Sequence, residues 1–378
     1  MSSNDIPRRT LVIFWEGTAN PIDPITTQIG VFAQVANAQR IYSPSQVPPG
    51  RGTLKLCFDG CGVTHGNMGV LFARGLDEQG DLAIAIIQEM LRQQTAEQQL
   101  PFAQESSSSH NHDGIHVVAV GLSRGGVACM KLAQKLAKNF TADEVTASML
   151  LFDPVPGNAV STGFPWTASH SQDLSACHNL QRVLAIYPYE ALPDLAMHAP
   201  SLCIYPPSTM VQEDVTLGCH QGALFMTSPS PRNPYELASN FSMRRLVDFL
   251  KLEGVSCSLV GSPFYVPPVE VCVQRMDKEL RRHRERDTAK RIAHDPTGLA
   301  RLIIRHKYLS SDTIPPFLNK HHEQLTKCLR KGTDSSTIEA VYGKQEQEKD
   351  KQQSSKEPRY FQLEIDSGRV TCTSRLWR

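Results

Sequence analysis

Clustered metal-binding cysteines, long apolar runs and a strong excess of one charge are all missing from this chain. Ten cysteines are spread thinly from Cys57 to Cys372 with no Cys-x-x-Cys among them, and no Cys/His group has zinc-finger spacing. Cys57 and Cys61 stand too far apart for a zinc knuckle and lie in a Gly-rich segment, so free thiols in a reducing compartment are expected rather than a disulfide framework. No run of about 18 apolar residues occurs, which argues against a membrane-spanning helix. The opening segment MSSNDIPRRT lacks the apolar centre of a signal peptide. The expected location is therefore the cytoplasm of the producing cell, with any export using a route that needs no such signal. A formal net charge of +1 offers no bulk attraction to nucleic acid or to an anionic membrane, so any such partner needs a local patch.

What is present fits a folded α/β protein. Apolar residues make up 40% of the 378 positions and charged residues 20%, the balance of a globular chain. Leu11–Trp15, Leu54–Phe58, Ile115–Val120, Ala147–Phe152 and Val183–Ile186 are short apolar runs that read as buried strands. Between them, Thr26–Ile41, Asp81–Gln94 and Arg124–Asn139 have helical periodicity; in the second, Leu82, Ile84, Ile86, Ile87 and Leu91 share a broad face. Strands alternating with amphipathic helices predict a mostly parallel sheet covered by helices on both faces. Handedness then gathers the loops at the carboxyl ends of the strands on one edge, where chemistry is to be sought. The Ser-rich segment 102–114 holds His110 and His112, which read as a solvated loop rather than a metal site.

The segment Gly121-Leu122-Ser123-Arg124-Gly125 fits the G-x-S-x-G pattern of a nucleophile elbow. The pattern has a physical reason. A serine on a tight turn between strand and helix needs a strained backbone, and side chains two residues before or after it would collide. The glycines at 121 and 125 avoid that collision. Context strengthens the reading, because the apolar run Ile115–Val120 precedes the motif and a helix with Val127, Met130, Leu132 and Leu136 on apolar positions follows it. The competing reading is a Gly-rich turn without chemistry.

A serine hydroxyl needs a base, and in this arrangement the acid and the histidine follow it in the chain. Asp153 ends the strand ASMLLF and is the candidate acid; its alternative is a turn-forming Asp before Pro154. Asp214 is the rival acid. Among His170, His178, His198 and His220, the Gly-flanked setting Leu-Gly-Cys-His-Gln-Gly favours His220. Two N–H donors are needed for the oxyanion: one from Arg124, the other from Gly17 or Thr18 in the segment after the first strand.

Beyond about residue 270 the character changes. Arg275–Ile304 is rich in Arg and Lys and reads as helix. Arg281, Arg282, Arg284, Arg286 and Lys290 either dock on an anionic lipid surface or form a solvated face paired with interspersed acids. Residues 343–357 are low-complexity and charged, and Arg359–Arg378 regains strand-like alternation. The reading divides the chain into a hydrolase-type domain at 1–270, a basic helical extension at 271–332 and a charged, partly disordered tail at 333–378.

Several segments, taken in order over about residues 11–250, resemble the bacterial α/β-hydrolase domain of type VI secretion lipase effectors and their uncharacterised relatives. They are Phe14-Trp15-Glu16-Gly17-Thr18, Phe58-Asp59-Gly60-Cys61-Gly62-Val63, Ala73-Arg74-Gly75-Leu76, the elbow Gly121–Gly126, Phe152-Asp153-Pro154-Val155, Leu184-Ala185-Ile186 with Tyr187–Glu190, and Gly218-Cys219-His220-Gln221-Gly222. The resemblance implies an α/β-hydrolase fold, a triad of Ser123, Asp153 and His220, and esterase or phospholipase A activity on a phospholipid by a bacterial effector. Such a mechanism needs no metal or organic cofactor and no nucleic acid. Two alternatives stand beside it: hydrolysis of a small ester, thioester or peptide, and a catalytically silent scaffold that binds a protein partner.

Overall fold

A computed structural model describes residues 9–25, 27–50, 52–66, 73–98, 114–156, 171–190, 201, 203–220 and 236–258, with strand segments at 291–294, 300–304, 360–366 and 369–375. Seven parallel strands form one sheet. They are β1 (Thr10–Trp15), β2 (Gln39–Arg40), β3 (Thr53–Phe58), β4 (Ile115–Leu122), β5 (Val145–Phe152), β6 (Leu180–Glu190) and β7 (Met210–Cys219). Their order is β2-β3-β1-β4-β5-β6-β7. The inner strand β1 is buried along its whole length, as expected where helices cover both faces.

Alternate residues of β1 point to two separate cores. Leu11, Ile13 and Trp15 join Ile86 and Ile87 of α2 (Leu76–Gln98) and Val127, Met130 and Leu132 of α3 (Arg124–Asn139). Val12 and Phe14 join Ile29 and Phe32 of α1 (Gln28–Val35) and Met243, Leu246 and Leu250 of α4 (Glu236–Leu252). The fold is thus α/β with helices on both faces of an all-parallel sheet, and β4 and α3 meet at residue 123 in the middle of it.

Several elements depart from the expected ones. The helix anticipated over Thr26–Ile41 ends at Val35. The Lys55 ammonium donates to the carbonyl oxygens of Ala33 and Ala36 at 2.9 and 3.1 Å, and the chain then extends so that Asn37 N–H reaches Ser256 O at 2.8 Å. The two lysine bonds take up carbonyls at the helix's end, and the Asn37 bond turns the chain away from the helical path. Strand β7 and helix α4 were not anticipated. The helix expected over Arg275–Ile304 is corrected: its described residues form β8 (Arg291–His294) and β9 (Ala300–Ile304), an antiparallel pair. Between them the sequence Asp295-Pro296-Thr297-Gly298 combines a proline that breaks a helix with a turn-favouring glycine. The alternation at the chain's end corresponds to a second antiparallel pair, β10 (Tyr360–Asp366) with β11 (Arg369–Arg375). Arg281, Arg282, Arg284, Arg286 and Lys290 lie outside the described residues, as do His110, His112, His170 and His198. No helix among the described residues is long and apolar enough to cross a membrane, and Cys57, Cys61, Cys129, Cys177, Cys203 and Cys257 are free thiols.

Candidate active site

Ser123 sits between β4 and α3 with φ 55° and ψ −120°, a backbone conformation that a non-glycine residue rarely adopts and that stores strain. The strain is held from both sides. Ser123 N–H donates to Phe152 O at 2.9 Å, and Ser123 O accepts from Gly126 and Val127 N–H at 3.0 and 3.3 Å. The geometry of the turn explains the glycines. A Cβ on Gly121 would lie 2.2 Å from Gly125 O, and one on Gly125 would lie 2.4 Å from Trp15 O. Either contact is well inside van der Waals separation, so a side chain at either position would force the elbow open.

Asp153 is the next strand's counterpart. Leu122 and Phe152 are register partners in β4 and β5, and Ser123 and Asp153 each stand one residue beyond them. Neighbouring strands run about 4.8 Å apart, so the two residues share one patch of the carboxyl edge. Asp153 also has a positive φ, 44°, and its N–H continues the ladder to Ile186 O at 2.8 Å. Its carboxylate is fully buried, and its Oδ2 hydrogen-bonds His220 Nδ1. His220 follows the last residue of β7, Cys219, and is itself buried.

The rivals are placed elsewhere. Asp214 lies within β7 opposite Ile186, which in turn pairs with Phe152; it is therefore two strands away from Phe152, about 10 Å. His178 is exposed and precedes β6, on the amino side of the sheet. Of the anticipated acid and base, the structure brings together Asp153 and His220.

The loop after β1 is tied down by Glu16, which is 1% exposed. Its Oε1 accepts from Gly17 N–H at 2.8 Å, and its Oε2 accepts from Ile29 and Gly30 N–H at 2.7 and 3.1 Å. Burial raises its pKa above the ordinary 4.5, against the lowering effect of these donors. The carboxylate thus fixes the loop to the amino end of α1. One consequence corrects an expectation: Gly17 N–H is committed to Glu16. Thr18, half-buried, has an N–H that donates to nothing among the described residues. Arg124 N–H, at the first position of α3, likewise has no acceptor among them.

Sequence reasoning did not foresee two features here. Glu16 gave no signal beyond its place after a strand. The Arg124 side chain, 6% exposed, donates from Nε to Pro156 O at 3.3 Å and from Nη1 to Cys61 Sγ at 3.8 Å; its direct succession to Ser123 was the available clue.

No family model matches the chain, and no curated protein matches it. Two solved structures are similar in part. One is an uncharacterized protein from Pseudomonas aeruginosa, 12% identical, with a TM-score of 0.46 over 69% of this chain and 48% of that one. The other is the Tle1 effector bound to the VgrG spike from the type 6 secretion system, 13% identical, with a TM-score of 0.34 over 60% of this chain and 52% of that one. The chain spans about half the length of each.

Proposed function

We propose that this chain is a serine hydrolase that cleaves carboxylic esters through Ser123, His220 and Asp153. The observation that carries the reading is the pairing of a strained serine at the end of β4 with a buried carboxylate–imidazole pair at the neighbouring strand end. His220 accepts the Ser123 proton as Oγ attacks the ester carbonyl. Asp153, bonded to Nδ1, holds the ring's orientation and stabilises the imidazolium that forms. The tetrahedral oxyanion is met by N–H donors from Arg124 and Thr18. Collapse breaks the bond to the alkoxy oxygen, which leaves as the alcohol with the proton from His220. Water, deprotonated by the same ring, then attacks the acyl-serine and releases the carboxylic acid.

The ordered resemblance of residues 11–250 to type VI lipase effectors adds a phospholipid as the substrate class. The test compares release of fatty acid from phosphatidylglycerol vesicles with hydrolysis of soluble p-nitrophenyl butyrate, for wild type, Ser123→Ala and His220→Ala. Hydrolysis lost in both variants, with gain on vesicles over the soluble ester, supports the reading. Soluble-ester turnover with no gain on vesicles reduces it to a small-ester hydrolase. Activity retained by Ser123→Ala overturns it.

A further inference from the structure

Arg124 is buried, and its guanidinium has no counter-charge among the described residues. Arginine stays ionised in proteins, so its charge must be answered by acceptors. Its two partners, a carbonyl at 3.3 Å and a thiol sulfur at 3.8 Å, are long or weak. No carboxylate lies within ion-pair distance of it among the described residues. Two other cations among the described residues have shorter bonds: half-buried Arg182 pairs with Glu253, and buried Arg9 donates to Met90 O at 2.9 Å and to Gln93 Oε1 at 3.0 Å. A cation left this way beside a nucleophile is unfavourable in the empty protein and is relieved when an anion docks.

Its position is equally specific. Cys61 belongs to the loop after β3 and Pro156 to the loop after β5. The side chain therefore lies over the carboxyl edge, between loops that flank the elbow. The amino end of α3 adjoins it, and a helix start favours anions.

We propose that the Arg124 guanidinium is the subsite for a phosphate group carried by the substrate next to its scissile ester. The planar fork suits two phosphate oxygens at once, and the helix start favours a phosphate over a singly charged group. Arg124 then acts twice, its backbone N–H on the oxyanion and its side chain on the phosphate, so recognition and chemistry are fixed by one residue. The proposal rests on the reading of Ser123 as nucleophile.

Glycerol monobutyrate and butyryl glycerol 3-phosphate share one scissile ester and differ by the phosphate. Wild type is expected to favour the phosphate ester in kcat/KM by about tenfold to a hundredfold. Arg124→Met brings the ratio to about one, whatever it does to both rates, and Arg124→Lys restores part of the preference. A ratio unchanged by Arg124→Met overturns the subsite. Direct binding of glycerol 3-phosphate to Ser123→Ala, with and without Arg124→Met, separates the two readings. Arg124-dependent binding with no ester turned over leaves the subsite standing and removes the hydrolase; turnover with Arg124-independent binding does the reverse. Should the Arg124 variants fail to fold, inorganic phosphate on wild type decides: competition against the phosphate ester supports the subsite, and its absence overturns it. Phosphatidylglycerol vesicles beside the soluble phosphate ester show whether the phosphate comes from a lipid headgroup or a small molecule.

Discussion

The two ends of the sheet each carry a carboxylate–histidine pair, and the two pairs have opposite surroundings. At the carboxyl end, Asp153, one residue past β5 as Ser123 is past β4, bonds His220 Nδ1 through its Oδ2. At the amino end, His116 in β4 bonds Glu253 Oε2 through Nε2 at 2.8 Å and Thr146 Oγ1 through Nδ1 at 2.9 Å. By residue type the second group, hydroxyl, imidazole and carboxylate, imitates a triad. The backbone separates them. Ser123 and Asp153 both have positive φ, whereas His116, Thr146, Arg182 and Glu253 do not. Thr146 lies inside a strand, opposite His116 in the ladder, with its neighbours' N–H groups spent on strand pairing. Glu253 is further satisfied by Arg182. Strain and uncommitted N–H groups coincide at the carboxyl end, where the proposed chemistry sits; the satisfied network at the other end ties α4's exit to β4 and β6.

That comparison can be broken by substitution. The largest effect is expected from Asp153→Asn, which leaves the shape of the site but not the carboxylate that orients His220. It should lower kcat/KM by about 10⁴-fold with little change in melting temperature. Glu253→Gln should do the reverse. Removing one member of a buried charged network costs about 3 kcal/mol, measurable by urea unfolding, while turnover per folded molecule stays within about twofold because the sites are distant.

A pH series sharpens the same contrast. Burial pushes the Glu253 carboxyl up, but the His116 hydrogen bond and the Arg182 charge outweigh it, and its pKa lies below the ordinary 4.5. A depressed carboxylate contributes stability above its unfolded pKa and loses it as pH falls through the folded one. Unfolding free energy should therefore drop below pH 4.5 in wild type and drop less in Glu253→Gln. Smallest is the relief of strain. Ser123→Gly permits φ 55° without a Cβ penalty and should raise stability by about 1 kcal/mol while abolishing turnover; a fall in stability would mean that the elbow is not strained.

The elbow was legible in the sequence because its requirements are local: two glycines where a Cβ would collide with the backbone, an apolar strand before and an amphipathic helix after. Asp153 and His220 were legible as types in suitable settings, but their meeting depends on β7 carrying the chain back along the sheet. That strand, MVQEDVTLGC, mixes acidic and polar residues at the sheet's edge and lacks the apolar run by which the inner strands were found. Helix α4 had its signal in full at Met243, Leu246, Val247 and Leu250. The His116–Glu253–Arg182 network could not be read, since its members come together only through packing. The commitment of Gly17 N–H to Glu16 needed coordinates as well.

The most direct test is the rate at which a neutral fluorophosphonate modifies Ser123, followed by intact mass and peptide mapping in wild type, Asp153→Asn and Glu253→Gln side by side. One adduct on Ser123, formed at equal rates in wild type and Glu253→Gln and slowed by orders of magnitude in Asp153→Asn, is the predicted result. No adduct on folded wild type, or equal rates in all three proteins, would contradict the assignment of chemistry to the carboxyl end of the sheet.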